Sequence, residues 1–238
     1  MISLALDSAS DRCSVAASDG TRIAHRHLEG ARSHATAVLE LLDQVLQEIG
    51  ASVTDVGRVL SGDGPGSFTG LRVATSVAKA IVWRRQVEWR TAPSLLLRAS
   101  AHAADGAVVL AVSDALRGDV YAGCWRFDTE GVHPVGGPPR AMRPAALAAF
   151  GPVDRVVGTL SASMIADVGG VTGRALITGP PALPDARELL HLADRRGGTT
   201  LVTDAAGWQP EYGRPAEAQA VWERTHGRQL PTASGILR

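Results

Sequence analysis

The chain has 238 residues, 45% of them hydrophobic and 20% charged, the composition of a soluble globular protein with room for one large domain or two small ones. Its 24 basic and 24 acidic side chains cancel, so no global field draws in nucleic acid, a membrane surface or an acidic substrate. Two cysteines, Cys13 and Cys124, argue against a disulfide framework or a four-ligand zinc site and are expected to be reduced thiols; an aromatic content of 4% argues against a base-stacking platform.

The chain opens on Met1-Ile2-Ser3-Leu4-Ala5-Leu6, which meets Asp7 without the basic region of a signal peptide. No later segment approaches the roughly 20 apolar residues that span a bilayer. A cytoplasmic protein with no membrane contact is the expectation. Three strands are expected over Ile2–Leu6, Cys13–Ala17 and Ile23–Leu28. The Asp19-Gly20 pair between the last two is a hairpin signal, so an antiparallel meander starts the fold.

From Ser33, a candidate N-cap, to Gly50, a candidate C′ glycine, the pattern becomes helical. Val38, Leu41, Leu42, Val45 and Ile49 form one stripe, and Leu39, Leu42 and Leu46 form a second beside it. Together they are wider than a helix needs to sit on its own sheet, which leaves a flank for another chain or simply a deeply buried helix. A strand over Val56–Ser61 leads into Gly62-Asp63-Gly64-Pro65-Gly66-Ser67-Phe68-Thr69-Gly70-Leu71-Arg72. A second helix then carries Leu71, Ala74, Val77, Ala78 and Ile81, and its small residues Ala74, Ala78 and Ala80 permit close helix approach. Arg72 stands in its first turn, where the helix dipole favours acids, so Asp63 or Asp7 is expected to partner it.

A short helix is expected over Leu95–Ala104, strands over Val108–Val112, Val120–Phe127 and Val153–Val157, and a last helix over Glu188–Arg195. Gly136-Gly137-Pro138-Pro139 and Gly179-Pro180-Pro181 read as loop. A lobe boundary is expected near Gly106, giving lobes 1–106 and 107–238. No repeat stands out at solenoid periods.

The glycine-rich loop suggests a phosphate cradle, yet its spacing fits neither known fingerprint. No lysine follows a glycine, as a P-loop requires, and no third glycine completes Gly-x-Gly-x-x-Gly. Pro65 removes a backbone donor that an anion nest would use. A tight turn that sets where a helix leaves a sheet is the other reading. Asp7-Ser8-Ala9-Ser10 is likewise either ordinary hairpin chemistry or a phosphate and metal loop.

Other candidates are weak. His25 and His27 share one side of a strand, expected to be solvent-facing, and lack a third ligand. Ser67 has no Gly-x-Ser-x-Gly elbow around it, and Cys124 lies mid-strand where a thiol is inert. Asp114, Gly118, Asp119 and Tyr121 read as a functional loop or a hairpin connection. Arg84, Arg85 and Arg90 suit either phosphate or a helix C-terminus.

Three antiparallel strands, a helix, a strand and a helix resemble the ribonuclease-H-like lobe shared by actin, sugar kinases and related ATPases. With the glycine loop the resemblance narrows. Asp7-Ser8-Ala9-Ser10, Ser33-His34, Gly62-x-Gly-Pro-Gly-Ser-Phe-Thr-Gly-Leu-Arg72, Lys79, Ser94-Leu95, Asp114-x-x-x-Gly-Asp-Val-Tyr121 and Pro210-Glu-Tyr-Gly-Arg214 occur in the order found in the TsaB (YeaZ) family. The match is close over residues 1–125 and sparse afterward.

That resemblance implies a two-lobed actin-like/ribonuclease-H-like (ASKHA) α/β fold with a reduced second lobe. It implies a non-catalytic scaffold or activator in the synthesis of N6-threonylcarbamoyladenosine at position 37 of tRNA. The implied partners are a TsaD-type catalytic subunit, a TsaE-type ATPase reached through the complex, and a second copy of the chain when alone, with tRNA met only indirectly. TsaD-like proteins carry a metal-binding His-x-x-x-His pair, and here Val38 stands four residues after His34. Hence no catalytic residue, cofactor or metal ligand is expected. The partner-binding residues expected on the two helices are Val38, Leu41, Val45, Leu71, Ala74, Val77, Ala78 and Ile81. The alternative is an ATP-binding enzyme of the actin-like superfamily, using Asp7, Ser10 and the Gly62–Gly70 loop, with Gly64 and Gly66 against the nucleotide.

Overall fold

The computed structural model describes residues 1–30, 34–115, 117–213 and 225–227, with the backbone alone for 34–36. The expected cap Ser33, the residue Leu116 of the 113–119 connection and the motif residue Arg214 lie outside the described residues.

The first sheet starts as the expected meander, β1 (Ile2–Asp7), β2 (Arg12–Ser18) and β3 (Ile23–Glu29). Helix α1 (His34–Glu48) follows, then β4 (Val56–Gly62), α2 (Phe68–Val82), β5 (Glu88–Ala92) and the short α3 (Ser94–Ser100). The second sheet is built from β6 (Val108–Asp114), β7 (Val120–Asp128), β8 (Gly131–Met142), β9 (Arg155–Thr159) and β10 (Leu176–Ile177), with α4 (Ala162–Thr172) before its last strand. Helix α5 (Ala186–Ala193) and β11 (Thr200–Leu201) bring the chain back to the first sheet.

The strand order is β11-β5-β4-β1-β2-β3 in one sheet and β10-β9-β6-β7-β8 in the other. Apart from the edge strand β11, the two sheets repeat one topology: an antiparallel meander of three strands, then two parallel strands added beside the first. In the second lobe a 3-10 segment, Pro144–Phe150, stands where the first has α1. This is the two-lobed actin-like/ribonuclease-H-like α/β fold, its second lobe reduced.

Alternation along the strands divides the first sheet into two faces. Leu4 and Leu6 of β1, Cys13 and Val15 of β2 and Val59 of β4 meet α1 and α2 in one core. Ala5, Ala16 and Leu60 point the other way, into a core with Leu95, Leu96, Leu189 and Leu192 that also takes Val109, Tyr121 and Trp125 from the second sheet. Gly106, where the boundary is expected, lies between α3 and β6, and α5, far downstream, packs on β1, β2 and β4.

Both long helices have local causes. At the end of α1 the Gly50 N–H bonds Gln47 O at 2.9 Å and the Ala51 N–H bonds Leu46 O at 2.9 Å, with Gly50 at φ 73°. That is a Schellman closure, which needs a left-handed residue at C′. At the start of α2 the Ser67 hydroxyl accepts from Gly70 N, the cap that launches the helix from the glycine loop.

Five elements depart from expectation. Residues 131–142, read as loop because of Gly136-Gly137-Pro138-Pro139, form the long strand β8; it is the sheet's edge, where missing proline donors are tolerated. Helix α4 and the strands β5, β10 and β11 were not anticipated, the last two being only two residues long.

Candidate functional site

Two places deserve comparison: the glycine loop with its neighbouring acids, and the outer surface of α1 and α2. The loop is clamped on three sides. Ser67 N–H donates to Ala9 O at 2.7 Å, Ser94 N–H to Gly64 O at 2.8 Å and Glu211 N–H to Asp63 O at 2.7 Å. The Ser8 hydroxyl donates to Gly70 O at 2.7 Å. A Cβ at Gly62 would run into the Asp7 carboxylate, and one at Gly70 into the Ser8 carbonyl. These glycines permit close backbone packing, which is the turn reading of the loop.

Asp7 is 1% exposed, and its carboxylate is engaged by the Ser94 hydroxyl at 2.6 Å and by Ala9 N at 3.2 Å. Ser10 accepts from Arg12 N at 3.2 Å within its own turn. Burial pushes the Asp63 carboxyl up to about 7 although Thr91 bonds it, and the charges of Asp7 and Glu211 push the same way. Burial also pulls the Arg98 guanidinium down to about 10, against Asp7 and Asp11. Arg98 donates to Thr159 Oγ1 and Ala182 O, each at 2.9 Å, and so ties α3 to the second lobe. The space between the sheets is filled by α5 and its leucines.

Neither Asp7 nor Asp63 pairs with Arg72, contrary to expectation. The Arg72 guanidinium lies 4.6 Å over the Phe68 ring, and its Nε faces Tyr212 Oη at 3.4 Å. Phe68 in turn meets the Tyr212 ring at 4.7 Å. Aromatic stacking holds the cation where the helix dipole alone would repel it.

His25 is not solvent-facing. Its Nε2 lies 3.0 Å from Ser14 Oγ and 3.2 Å from Asp185 Oδ1. One ring nitrogen meets both groups, so the trio is no serine–histidine–acid relay, which needs the two nitrogens on opposite partners. Burial pulls His25 down to about 4. Burial drives both thiols, Cys13 and Cys124, up to about 12, where thiolate chemistry is suppressed. Among the described residues no three His, Cys, Asp or Glu side chains converge as a metal cage. Arg85 serves the fold, donating to the carbonyls of Val53, Thr54 and Val56. In the loop before β7, Asp119 pairs with Arg143 at 3.1 Å.

The outer surface of α1 and α2 differs in kind. A groove runs between the helices in two parts, of about 460 and 740 Å³, floored by Val38, Leu42, Leu46 and Ile81 and edged by Leu39, Val73, Ser76 and Val77. Leu39 is 59% exposed, Val53 41% and Phe68 38%. A contiguous apolar surface of this kind is the type of feature that partners cover. Most of the expected partner-binding residues face inward in the isolated chain. Val38, Leu41, Val45, Leu71, Ala74, Ala78 and Ile81 are buried, because the main stripe of each helix serves the sheet; Val77 alone is partly open. Leu39, on the second stripe of α1, is the outward residue. Phe68, Arg72, Val73 and Ser76, beside the apolar stripe of α2, line the groove without belonging to the expected set.

The family model described as TsaD, tRNA N6-adenosine threonylcarbamoyltransferase, matches residues 28–138. The tRNA threonylcarbamoyladenosine biosynthesis protein TsaB of Escherichia coli (strain K12) is 29% identical over 240 residues, covering 95% of this chain and 99% of that protein. The protein of the same name from Bacillus subtilis (strain 168) is 28% identical, over 80% of this chain and 84% of its own. The solved structure of YeaZ from Pseudomonas aeruginosa superposes with a TM-score of 0.73 at 26% identity, over 88% of this chain and all of that one. The chain is similar to TsaB (YeaZ) proteins over most of its length. A second Pseudomonas aeruginosa structure, described as an uncharacterized protein with similarity to peptidase YEAZ, gives a TM-score of 0.75 at 28% identity and covers 90% of this chain and 99% of its own. The similarity extends over both lobes, including the stretch after residue 125 where sequence motifs are sparse.

Proposed function

We propose that the chain is a non-catalytic scaffold and activator in the synthesis of N6-threonylcarbamoyladenosine on tRNA, and that it binds a TsaD-type transferase through the face made by α1 and α2. The observation that carries this reading is the groove between those helices, which leaves Leu39 59% exposed above an apolar floor. Covering a face of two 15-residue helices supplies much of the roughly 1,600 Å² that a stable interface buries.

The occupied interior supports the non-catalytic part. Asp7 is engaged by Ser94 and Ala9, the loop's Ser67 donor by Ala9, and the space between the lobes by an apolar core. An ATP-binding enzyme would need these groups turned toward a ligand. In this reading lobe 1–106 carries the interface, lobe 107–238 braces it, a TsaE-type ATPase joins through the complex, and tRNA is held by the partner in the cytoplasm. Among the described residues no helix is long and apolar enough to cross a membrane. Without its partner the chain closes the same face with a second copy.

The test is titration calorimetry of the purified chain with the TsaD-type protein of its own organism and, separately, with ATP and magnesium. Binding of the protein and no binding of nucleotide by the isolated chain is expected. Micromolar nucleotide binding without the partner would favour the enzyme instead.

A further inference from the structure

The groove is apolar but its two ends are not. Arg72 lines the part beside Phe68, and Asp43 lines the part toward Val53. Helix α1 holds Glu40, Asp43 and Glu48 with no lysine or arginine, while α2 holds Arg72 and Lys79 with no acid. Some of these charges are already satisfied. Lys79 Nζ donates to Ala206 O at 2.9 Å, and Glu48 pairs with Arg26 at 2.6 Å.

Arg72 and Asp43 remain as the groove's own charges. Among the described residues no carboxylate pairs with Arg72, whose contacts are the Phe68 ring and the Tyr212 hydroxyl. Asp43 accepts from the neutral amide of Gln47 at 2.6 Å. Both side chains are exposed now, and a helix laid in the groove would strip water from them. A charge desolvated without an opposite partner is strongly unfavourable.

Resting on the function proposed above, we propose that the partner helix seated in this groove is apolar, with a carboxylate at the Arg72 end and a basic side chain at the Asp43 end. The two charges then fix the register and direction of that helix, while the apolar floor supplies contact without direction. Stacking on Phe68 orients the planar guanidinium, which suits the two parallel bonds it makes with a carboxylate. A helix with the charges reversed meets like charge at both ends and is rejected.

The experiment is calorimetric titration of the full chain with the purified TsaD-type transferase of the same organism at several salt concentrations. Arg72→Glu and Asp43→Lys are each expected to weaken binding about tenfold or more. Arg72→Ala is expected to flatten the salt dependence, and melting temperatures stay unchanged because both positions are exposed. Unaltered affinity in both reversal variants, with wild-type binding intact, overturns the charge assignment and leaves the groove as the interface. Absence of wild-type binding overturns the interface itself.

Discussion

The Ser94 hydroxyl donates a 2.6 Å hydrogen bond to Oδ2 of Asp7, joining the start of α3 to the end of β1 beneath the glycine loop. In an actin-like nucleotide enzyme the hairpin acid would face the ligand; here it faces a serine across a closed packing layer. Replacing that serine leaves a buried carboxylate short of a donor. Ser94→Ala is therefore expected to lower stability by about 1–3 kcal/mol. Urea denaturation checks this, and an unchanged midpoint would contradict the structural role given to Asp7.

Gly70 is pressed against the Ser8 carbonyl, with no room for a Cβ. Gly70→Ala must push the loop off the hairpin and is expected to cost about 1–3 kcal/mol. An unmoved melting temperature of the isolated chain would contradict that packing.

Two partly buried groups give opposite pH slopes. Asp63 titrates at about 7 against an ordinary value of 3.8, so between those values the unfolded chain has lost a proton that the folded chain keeps. Its contribution to stability falls as pH rises from about 4 to 7. His25 titrates at about 4 against 6.5, so across that window only the unfolded chain is protonated there, and its contribution rises with pH. The wild type sums the two. Asp63→Asn is expected to expose the rising slope and His25→Gln the falling one, measured by denaturation between pH 4 and 7; identical slopes in the two variants would rule out this assignment.

Ala78 and Val77 are neighbours with different duties. Ala78 is wholly buried under α2, whereas Val77 edges the groove. Ala78→Glu, which places an unpaired charge in the core, is expected to destabilise by more than about 3 kcal/mol. Val77→Glu should leave folding nearly intact, as read by thermal melts of both variants.

Much of the first lobe is legible in its sequence. The meander declares itself through short apolar runs and Asp19-Gly20, and α1 through its stripe and Gly50. What the stripe conceals is which way it faces: Val38, Leu41 and Val45 satisfy helical spacing whether they meet a sheet or a partner, and the structure gives them to the sheet. The outward groove is made by Leu39, Val73 and Phe68, whose spacing on either helix alone is unremarkable. The second lobe is harder because its signals are weak one by one. Strand β8 is full of glycine and proline, and the repetition of topology between the sheets rests on hydrogen-bond order, which leaves no repeat in the residues. The fate of Arg72 was hidden for a related reason: Tyr212, which meets it, is 140 positions away.

In the proposed function the outer face of α1 and α2 binds a TsaD-type transferase, and Leu39, 59% exposed in the groove, probes that contact with least disturbance to the core. The most direct measurement is the affinity of that transferase for Leu39→Glu beside wild type, with melting temperatures recorded for both. Loss of binding by about tenfold or more at an unchanged melting temperature is the predicted result. Equal affinity for the two chains would contradict it.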